Sequence, residues 1–269
     1  MSYQCPLCQA ELTLQQQIWK CVNNHSFDCA KEGYVNLLPV QNKSSKDPGD
    51  NKAMMQARRS FLESGYYQSL SDAVNQCVAE LSAQAELNSL LDLGCGEGYY
   101  TGRLANSQAT LNINGIDISK SAIRYAAKRY RSVEFAVASA YQLPFADQQF
   151  DAILRIFAPS KLEELQRLLK TGGYLLTVVP GPRHLFELKQ VIYPYPKEHE
   201  LNEEPLAGFK RVNSTRVQQS LTIETKEAVQ HLLQMTPYAW RLSEQQKTEL
   251  MDKPLTVSLD FVIQIQQRC

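Results

Sequence analysis

The sequence predicts an α/β protein whose main domain is a doubly wound, mostly parallel, seven-stranded sheet, preceded by a small metal-binding ribbon. Short apolar runs alternate with helical patterns from about residue 86 onward, which is typical of parallel βαβ units. A glycine-rich turn directly follows the first of these runs, as it does in nucleotide-binding folds. Four of the seven cysteines fall within the first 29 residues, which indicates a metal site and not a disulfide framework.

The periodicity of apolar residues sets the order of the elements. Helices are predicted over residues 54–62 and 70–81, and strands over 89–93, 111–118, 133–138, 150–156 and 174–179. Helical segments at 119–130, where Ser119 can act as the cap, and at 161–169 lie between these strands. Residues 212–223 and 255–264 predict an antiparallel pair at one sheet edge, with helices over 225–233 and 243–251. We divide the chain into a zinc-binding ribbon (1–36), a connector with helices (37–85) and a ligand-binding domain (86–269).

Bulk composition constrains the possible partners. The chain carries 28 basic and 28 acidic residues, so a nucleic acid would have to meet a local basic patch. The best candidate patch lies between the ribbon and the main domain and comprises Lys43, Lys46, Lys52, Arg58 and Arg59. We expect no membrane span and no signal peptide, because no apolar run reaches 18 residues and no basic-then-apolar leader is present. The odd, clustered cysteines fit a reducing compartment and predict a cytoplasmic protein.

Two pairs of ligand-type residues define the predicted metal site. Cys5-x2-Cys8 and Cys21-x3-His25 are spaced so that two short loops can present four tetrahedral ligands. Cys29 is an alternative fourth ligand, although the spacing of Cys21 and His25 is the more usual one for zinc. Four protein ligands leave no position for a reacting water. The zinc is therefore predicted to be structural and to supply the folding energy of this small module.

The turn at residues 91–98 is the strongest ligand-binding motif. Its glycines follow a G-x-G-x-G spacing, unlike the G-x-G-x-x-G of dinucleotide folds, and they let the backbone approach a ligand closely. They are Gly94, Gly96 and Gly98. Asp92 and Glu97 add negative charge, which disfavours a pyrophosphate and suits the sulfonium and α-ammonium groups of S-adenosylmethionine. Asp117 is predicted to end the next strand, where an acidic residue accepts hydrogen bonds from ribose hydroxyls.

With this turn the chain resembles the class I methyltransferase superfamily over about residues 85–265. Residues 143–151 match its L-P-F-x-D-x-x-F-D signature, and residues 170–173 match its K-P-G-G turn with threonine in place of proline. The resemblance implies that the loop at residues 138–140, including Ser139, borders the adenine of the cofactor and that Leu143 is a further contact. The simpler interpretation of residues 143–145 is core packing.

A closer resemblance covers essentially the whole chain. Residues 31–39, 47–50, 54–59, 96–100 and 180–185 are similar to segments of the bacterial 23S rRNA guanine-N1 methyltransferases. That family implies the zinc ligands given above, a homodimer with a positively charged RNA cleft, and a target guanine in a domain II hairpin of 23S rRNA. The residues that it implies at the methyl donor are Tyr67, Gly96, Glu97 and His184, and Tyr99 is a further predicted cofactor contact. Of two branches acting on neighbouring guanines, the guanine-745 type is favoured here over the guanine-748 type linked to macrolide resistance.

The implied reaction needs a base whose N1 is accessible. N1 lies on the Watson–Crick edge, so the guanine must be looped out or flipped, and its proton must pass to a general base or a water. No catalytic residue is assigned. The N-P-P-Y motif of many base methyltransferases is replaced by residues 155–159, in which Phe157 is expected to pack in the core, with stacking on the base as the alternative.

Two other functions compete with this one. A small-molecule, quinone-like methyltransferase would share the signatures at residues 143–151 and 170–173, but it would rarely need a zinc ribbon. An RNA-binding factor could hold the cofactor without turnover, but the intact glycine turn and Asp117 argue for catalysis.

Overall fold

The computed structural model describes residues 3–39 and 51–269. Lys43 and Lys46 of the predicted basic patch lie outside these residues. The N-terminal part forms a three-stranded antiparallel ribbon of β1 (Thr13–Gln15), β2 (Ile18–Lys20) and β3 (Ser26–Asp28), with β2 in the middle. These strands are short and mostly exposed, so the ribbon buries little apolar surface of its own. A further short strand, β4 (Val35–Asn36), follows the ribbon in the chain.

The main sheet contains the predicted parallel strands and the predicted antiparallel edge. The strands are β5 (Ser89–Leu93), β6 (Asn112–Asp117), β7 (Glu134–Val137), β8 (Phe150–Ile156), β9 (Leu169–Pro180), β10 (Phe209–Ile223) and β11 (Leu255–Arg268). Within the described residues their order is β10-β11-β9-β8-β5-β6-β7-β4. Only the β10–β11 and β11–β9 pairs are antiparallel. The chain moves outward from β5 on one side and from β8 on the other, so these two strands flank the switch point where such sheets bind ligands.

The helices are α1 (Lys52–Glu63), α2 (Gln68–Gln84), α3 (Tyr99–Ser107), α4 (Lys120–Arg129), α5 (Leu162–Leu168), α6 (Phe186–Ile192), α7 (Lys226–Gln234) and α8 (Glu244–Met251), with a 3-10 helix at Pro237–Trp240. Most of them fall where the sequence patterns predict them, whereas α6 and the 3-10 helix were not predicted. Ser119 caps α4 by accepting a hydrogen bond from the Ala122 amide, and Ser243 forms a capping box on α8. No helix of the described chain is long and apolar enough to cross a membrane.

The main sheet has one strand more than the seven expected. The region from residue 86 onward supplies the seven, and β4 adds an eighth by pairing in parallel with β7, with Val35 opposite Ala136. Two residues give no periodicity that a sequence pattern could detect, so the prediction missed this strand. The N-terminal segment is therefore joined to the main sheet by backbone hydrogen bonds.

Candidate active site and metal centre

The glycine-rich turn is fixed between β5 and β6. The amides of Gly94 and Cys95 both donate to the carbonyl of Ile116 at 2.9 Å. Asp92 is buried at the end of β5 and accepts a 2.6 Å hydrogen bond from the Thr101 hydroxyl on α3. The turn is thus held by the neighbouring strand and by the helix that it opens.

Two of the glycines have different roles. Gly94 has φ +78°, and a Cβ there would lie 2.5 Å from the Cβ of Ala158, so a larger residue would be both strained and crowded. Gly98 has φ +81°, and its added Cβ would meet Ala126 at 2.9 Å and the ring of Tyr130 at 3.1 Å. Gly94 therefore lets the turn approach the loop after β8, whereas Gly98 lets α3 pack against α4.

Acidic groups gather at this end of the sheet. Asp117 ends β6, and its carboxylate accepts the Gly96 amide at 3.0 Å and the Ser119 amide at 2.8 Å. Burial is the main cause that raises the pKa of Asp92 to about 7. The hydrogen bond from Thr101 lowers this pKa, whereas the charge of Asp117 raises it further. Glu97 is also buried, at 6% exposure. Crowded carboxyl groups of this kind favour a positively charged ligand.

These groups line one end of a cavity of about 1330 Å³. The cavity is lined by loops at the carboxyl ends of β5 to β9 and also by α1, by residues from 193–200 and by the 3-10 helix. Pockets for one small ligand typically hold about 300–1,000 Å³. The cavity therefore has room for a cofactor and for a second group.

The cavity brings most of the sequence-predicted cofactor residues together. Those that line it are Tyr67, Asp92, Gly94, Gly96, Glu97, Tyr99, Asp117, Ser139 and His184. Gly98 and Leu143 are not among the lining residues. Leu143 is 3% exposed, and its amide donates to Glu164 at 2.7 Å, which is the arrangement that the core-packing interpretation describes.

Phe157 is not the core residue that the sequence led us to expect. It follows β8, lines the cavity and is 48% exposed. Its ring is stacked on that of His184, with 23° between the ring planes and 6.3 Å between the ring centres, and its centre lies 6.0 Å from that of the Phe261 ring. Its backbone has φ +54°, a conformation that costs a bulky residue about 1–3 kcal/mol and that is frequent at functional sites.

His184 is held as a neutral ring in the turn after β9. Its Nδ1 accepts a hydrogen bond from the amide of Asp260 at 3.4 Å. The carboxylate of Asp260 in turn accepts the Arg183 amide at 2.9 Å and two 2.8 Å bonds from the Arg216 guanidinium. Burial, followed by the nearby His199, lowers the pKa of His184 to about 3. Asp260 and Arg216 therefore position the loop that carries His184.

Sequence reasoning missed one wall of the cavity. From the segment after α6 come Tyr193, Tyr195, Lys197, Glu198, His199 and Glu200, and from the 3-10 helix come Tyr238 and Trp240. The segment has no regular secondary structure, and it is held where the His199 amide donates to the Pro182 carbonyl at 2.9 Å. Its only sequence signal is the alternation of tyrosine and proline at residues 193–196, which is typical of extended chain.

The residues at the acidic end fit S-adenosylmethionine. Asp92 and Glu97 are carboxyl groups that the cationic amino-acid part would hold in their charged form, and Asp117 offers carboxylate oxygens to its ribose. The loop of residues 138–140 after β7 lines the same end and offers small side chains for the adenine. No anion-binding group is needed for this ligand, in agreement with the acidic character of the turn.

The four predicted zinc ligands form one cluster. The ligand atoms of Cys5, Cys8, Cys21 and His25 all lie within 4.8 Å of one another, and Cys29 is not part of the group. The Sγ atoms of Cys8 and Cys21 are 3.7 Å apart, and His25 Nδ1 lies 3.4 Å and 3.5 Å from the sulfurs of Cys5 and Cys21. A tetrahedral zinc with usual bond lengths requires about 3.8 Å between sulfurs and about 3.6 Å between sulfur and nitrogen. The cluster therefore has the dimensions of a closed, structural zinc site.

The ribbon packs against the main domain. Tyr3 is 3% exposed, and its ring lies 5.2 Å from the ring of Phe145 and 5.0 Å from that of Trp19. The next residue, Gln4, donates its amide to the Pro144 carbonyl at 2.9 Å. Residues 144–145 of the methyltransferase-like signature thus form the docking surface of the ribbon.

Two family models match the chain. Residues 3–46 match a zinc-ribbon model described as "RlmA, N-terminal". Residues 85–236 match a model described as "Methyltransferase domain". Together they cover the metal cluster and most of the acidic end of the cavity.

Two relatives are similar to this chain over most of the length of both proteins, and a third is similar over only part of it. The Bacillus subtilis (strain 168) protein YxjB, which bears the name of a 23S rRNA (guanine-N1)-methyltransferase, is 32% identical over 97% of this chain and 96% of its own. The 23S rRNA (guanine(748)-N(1))-methyltransferase of Streptomyces fradiae is 31% identical over 88% of this chain and 85% of its own. The demethylmenaquinone methyltransferase of Thermotoga maritima is 33% identical over only 44% of this chain and 55% of its own.

Proposed function

Because the chain belongs to the zinc-ribbon family of 23S rRNA (guanine-N1)-methyltransferases, we propose that it methylates N1 of a guanine in 23S rRNA with S-adenosylmethionine as donor. The observation that carries this proposal is the presence, in one chain, of the zinc cluster and of an acidic cavity at the switch point of the sheet. A small-molecule enzyme would need only the second of these.

The proposed cofactor site is the acidic end of the cavity. We assign the ribose to Asp117, and the amino-acid part to the turn that carries Asp92 and Glu97. Tyr67, Tyr99, Ser139 and His184 are further proposed contacts of the cofactor, and all four line the cavity. When bound, S-adenosylmethionine supplies a methyl group on a sulfonium, which needs little further activation. The residues of the chain then have to hold the guanine in line with that methyl group and accept its N1 proton.

The finer features of the substrate are also proposals. The target is a looped-out guanine in the domain II hairpin, of the guanine-745 type, with the neighbouring guanine-748 as the alternative within the same loop. Arg58 lines the cavity on α1, and Lys52 and Arg59 lie on the same helix, where they can meet RNA phosphates.

We further propose that the protein is a cytoplasmic homodimer. We also propose that the chain divides into the ribbon, the connector and the methyltransferase domain after residues 36 and 85.

Mapping of reverse-transcription stops tests the function directly, because an N1-methyl group blocks base pairing. We expect a stop in domain II of 23S rRNA that is lost on deletion of the gene and restored by the wild-type chain. The position of the stop distinguishes the two guanines. An Asp117→Asn variant that folds normally should fail to restore the stop, since its side chain has one carboxylate oxygen fewer for the ribose.

An unchanged stop pattern in the deletion strain would contradict the rRNA assignment. The partial similarity to the demethylmenaquinone enzyme would then make a small, quinone-like substrate the next candidate. A lipid extract assayed with labelled S-adenosylmethionine would test that candidate.

A further inference from the structure

The exposed aromatic side chains of the described residues all line the same cavity. Among the large apolar side chains that are exposed there, five are aromatic and four are aliphatic. All five aromatic ones line the cavity, and none of the aliphatic ones does. The aromatic ones are Tyr141, Phe157, Tyr193, Tyr195 and Trp240. Because exposed apolar rings are unfavourable in water, their concentration at one cavity indicates a binding surface.

The degree of exposure defines where three of these rings lie. Asp92 and Glu97 of the glycine turn are buried, whereas Tyr195 is 90% exposed and Trp240 is 73% exposed. Tyr193 lies two residues before Tyr195 and is exposed as well. We call Tyr193, Tyr195 and Trp240 the aromatic rim. The aromatic rim is therefore at the solvent side of the cavity, and the glycine turn is at its enclosed side.

Hydrogen bonds hold the two parts of the chain that carry the aromatic rim. The ammonium group of Lys189 on α6 donates to the Lys197 carbonyl at 2.9 Å. Nε2 of His199 lies 3.4 Å from the hydroxyl of Tyr238, which is in the same 3-10 helix as Trp240. The segment of residues 193–200 and the 3-10 helix are thus in contact with each other. A surface that is already ordered loses little conformational entropy when a ligand binds to it.

The same cavity connects the aromatic rim with the cofactor turn. Phe157 is half-exposed in the cavity, and the next residue, Ala158, packs so closely on Gly94 that an added Cβ there would lie 2.5 Å away. A base that reaches the methyl donor must therefore enter the part of the cavity beside this loop. The nucleotides joined to that base then remain at the solvent side, where the aromatic rim lies.

We propose that the aromatic rim stacks on the unpaired RNA bases that flank the target guanine. This inference rests on the proposed function and adds a second contact surface for the same substrate. Unpaired loop bases expose their faces and are commonly bound by aromatic side chains. Since every base has such a face, the contact tolerates different sequences on either side of the guanine.

The composition of the aromatic rim favours bases over two other occupants. A lipid or quinone tail would be matched by exposed aliphatic side chains, but in the described residues these lie outside the cavity. Phosphates would need an excess of basic residues, but Lys197 is followed by Glu198 and, two residues later, by Glu200, and all three line the cavity. Flat aromatic rings with mixed charge around them are suited to the faces of bases.

Binding of altered RNAs to the wild-type chain tests the proposal without any change to the protein. Synthetic domain II hairpins would keep the target guanine and carry, at the adjacent loop positions, either a different base or an abasic nucleotide. Removal of a base should weaken binding about 5-fold to 100-fold, whereas exchange of a base should change it less than about 3-fold. Equal affinity for the abasic and the parent hairpins would overturn the proposal. An exchange as costly as removal would also overturn it, because hydrogen-bond readout would then replace stacking.

Substitution of Trp240 tests the protein side of the contact. Trp240→Ala should weaken hairpin binding about 5-fold to 100-fold, and Trp240→Phe should keep most of the affinity because it keeps a ring. The loss should appear in KM more than in kcat, since Trp240 lies at the solvent side of the cavity. Tyr195→Ala tests the same point in the other part of the rim if Trp240→Ala does not fold. The matched control is Val212→Ala, which shortens an exposed apolar side chain outside the cavity and should bind as the wild type does.

The dependence on salt distinguishes stacking from charge. The affinity of the wild type should fall between about 50 mM and 200 mM salt because phosphate contacts are weakened. The ratio of the wild-type affinity to that of Trp240→Ala should stay constant, since stacking releases no counterions. A ratio that approaches one at high salt would overturn the stacking role.

The fluorescence of Trp240 identifies the occupant. The chain has two tryptophans, so Trp19→Phe leaves Trp240 as the only one. Its emission should change when the hairpin is added and should not change with phosphatidylglycerol vesicles. A response to the vesicles and not to the hairpin would overturn the proposal in favour of a lipid surface.

The outcomes separate this inference from the proposed function. No methylation of the guanine hairpin by the wild-type chain would overturn the proposed function and this inference with it. Methylation by the wild type, together with unchanged hairpin affinity in both Trp240→Ala and Tyr195→Ala, would overturn only the role of the aromatic rim.

Discussion

Replacement of Asp92 by asparagine tests the electrostatics of the acidic end of the cavity. The pKa of the buried Asp92 is raised from 3.8 to about 7, mainly by burial. Between these two pH values the unfolded chain has released this proton, while the folded chain still holds it. The free energy of unfolding of the wild type therefore falls as the pH rises through this window. Asparagine has no such proton, and its oxygen can still accept the hydrogen bond of Thr101.

The size of the effect follows from the shift. The rise of the pKa of Asp92 from 3.8 to about 7 corresponds to about 4 kcal/mol. The free energy of unfolding of Asp92→Asn, relative to wild type, should rise by this amount between pH 4 and pH 8, with most of the gain reached by pH 7. Below pH 4 the relative value should be constant, since aspartic acid is then protonated in both states.

Urea unfolding followed by circular dichroism, in zinc-containing buffer without cofactor, measures this difference. The matched control is Asp252→Asn, which makes the same chemical change at an exposed position after α8 and serves as the reference for the pH series. A constant difference between Asp92→Asn and wild type from pH 4 to pH 8 would refute the reasoning. It would mean that Asp92 is ionised in the folded protein, and that the acidic end is better solvated than its burial indicates.

Two further predictions concern the glycine turn and the metal. Gly94→Ala should lower the melting temperature and abolish cofactor binding, because its Cβ would lie 2.5 Å from that of Ala158. Gly96→Ala should destabilise the protein less, because Gly96 has φ +56° but nothing lies within 4 Å of its added Cβ. Equal losses of stability would show that backbone strain, and not the clash, decides. Metal analysis should find one zinc per chain, lost in Cys21→Ser and kept in Cys29→Ser, since Cys29 is outside the cluster. Loss of zinc from Cys29→Ser would contradict this ligand set.

The sequence predicted the parts of the fold that are governed by local patterns. Buried strands such as β5 and β8 are short, mostly apolar runs, and Ser119 caps α4 because its hydroxyl can satisfy a free amide of the first turn. The acidic turn was predictable for the same reason, since glycine spacing and charge are local. Patterns of this kind do not depend on which distant residue packs against them.

The rest of the site depends on long-range contacts. Gly98 has the spacing of a ligand-binding glycine, but Ala126 and Tyr130 of α4 determine what it faces. His199 lies in a segment without regular structure, and its position is set by bonds to Pro182 and Tyr238 from other parts of the chain. Phe157 is exposed because its backbone is held at positive φ after β8. None of these features has a local sequence signal.

The zinc ribbon is more than an appended module, because the main sheet needs it. Without β4, the strand β7 would be an open edge with unpaired backbone groups, which is a site of aggregation in many proteins. Tyr3 packs on Phe145 of the main domain, and the zinc ligands begin two residues later at Cys5. Metal binding is therefore coupled to the integrity of the cofactor domain, since β7 leads directly into the loop at residues 138–140. Removal of zinc should then weaken cofactor binding even though no zinc ligand lines the cavity.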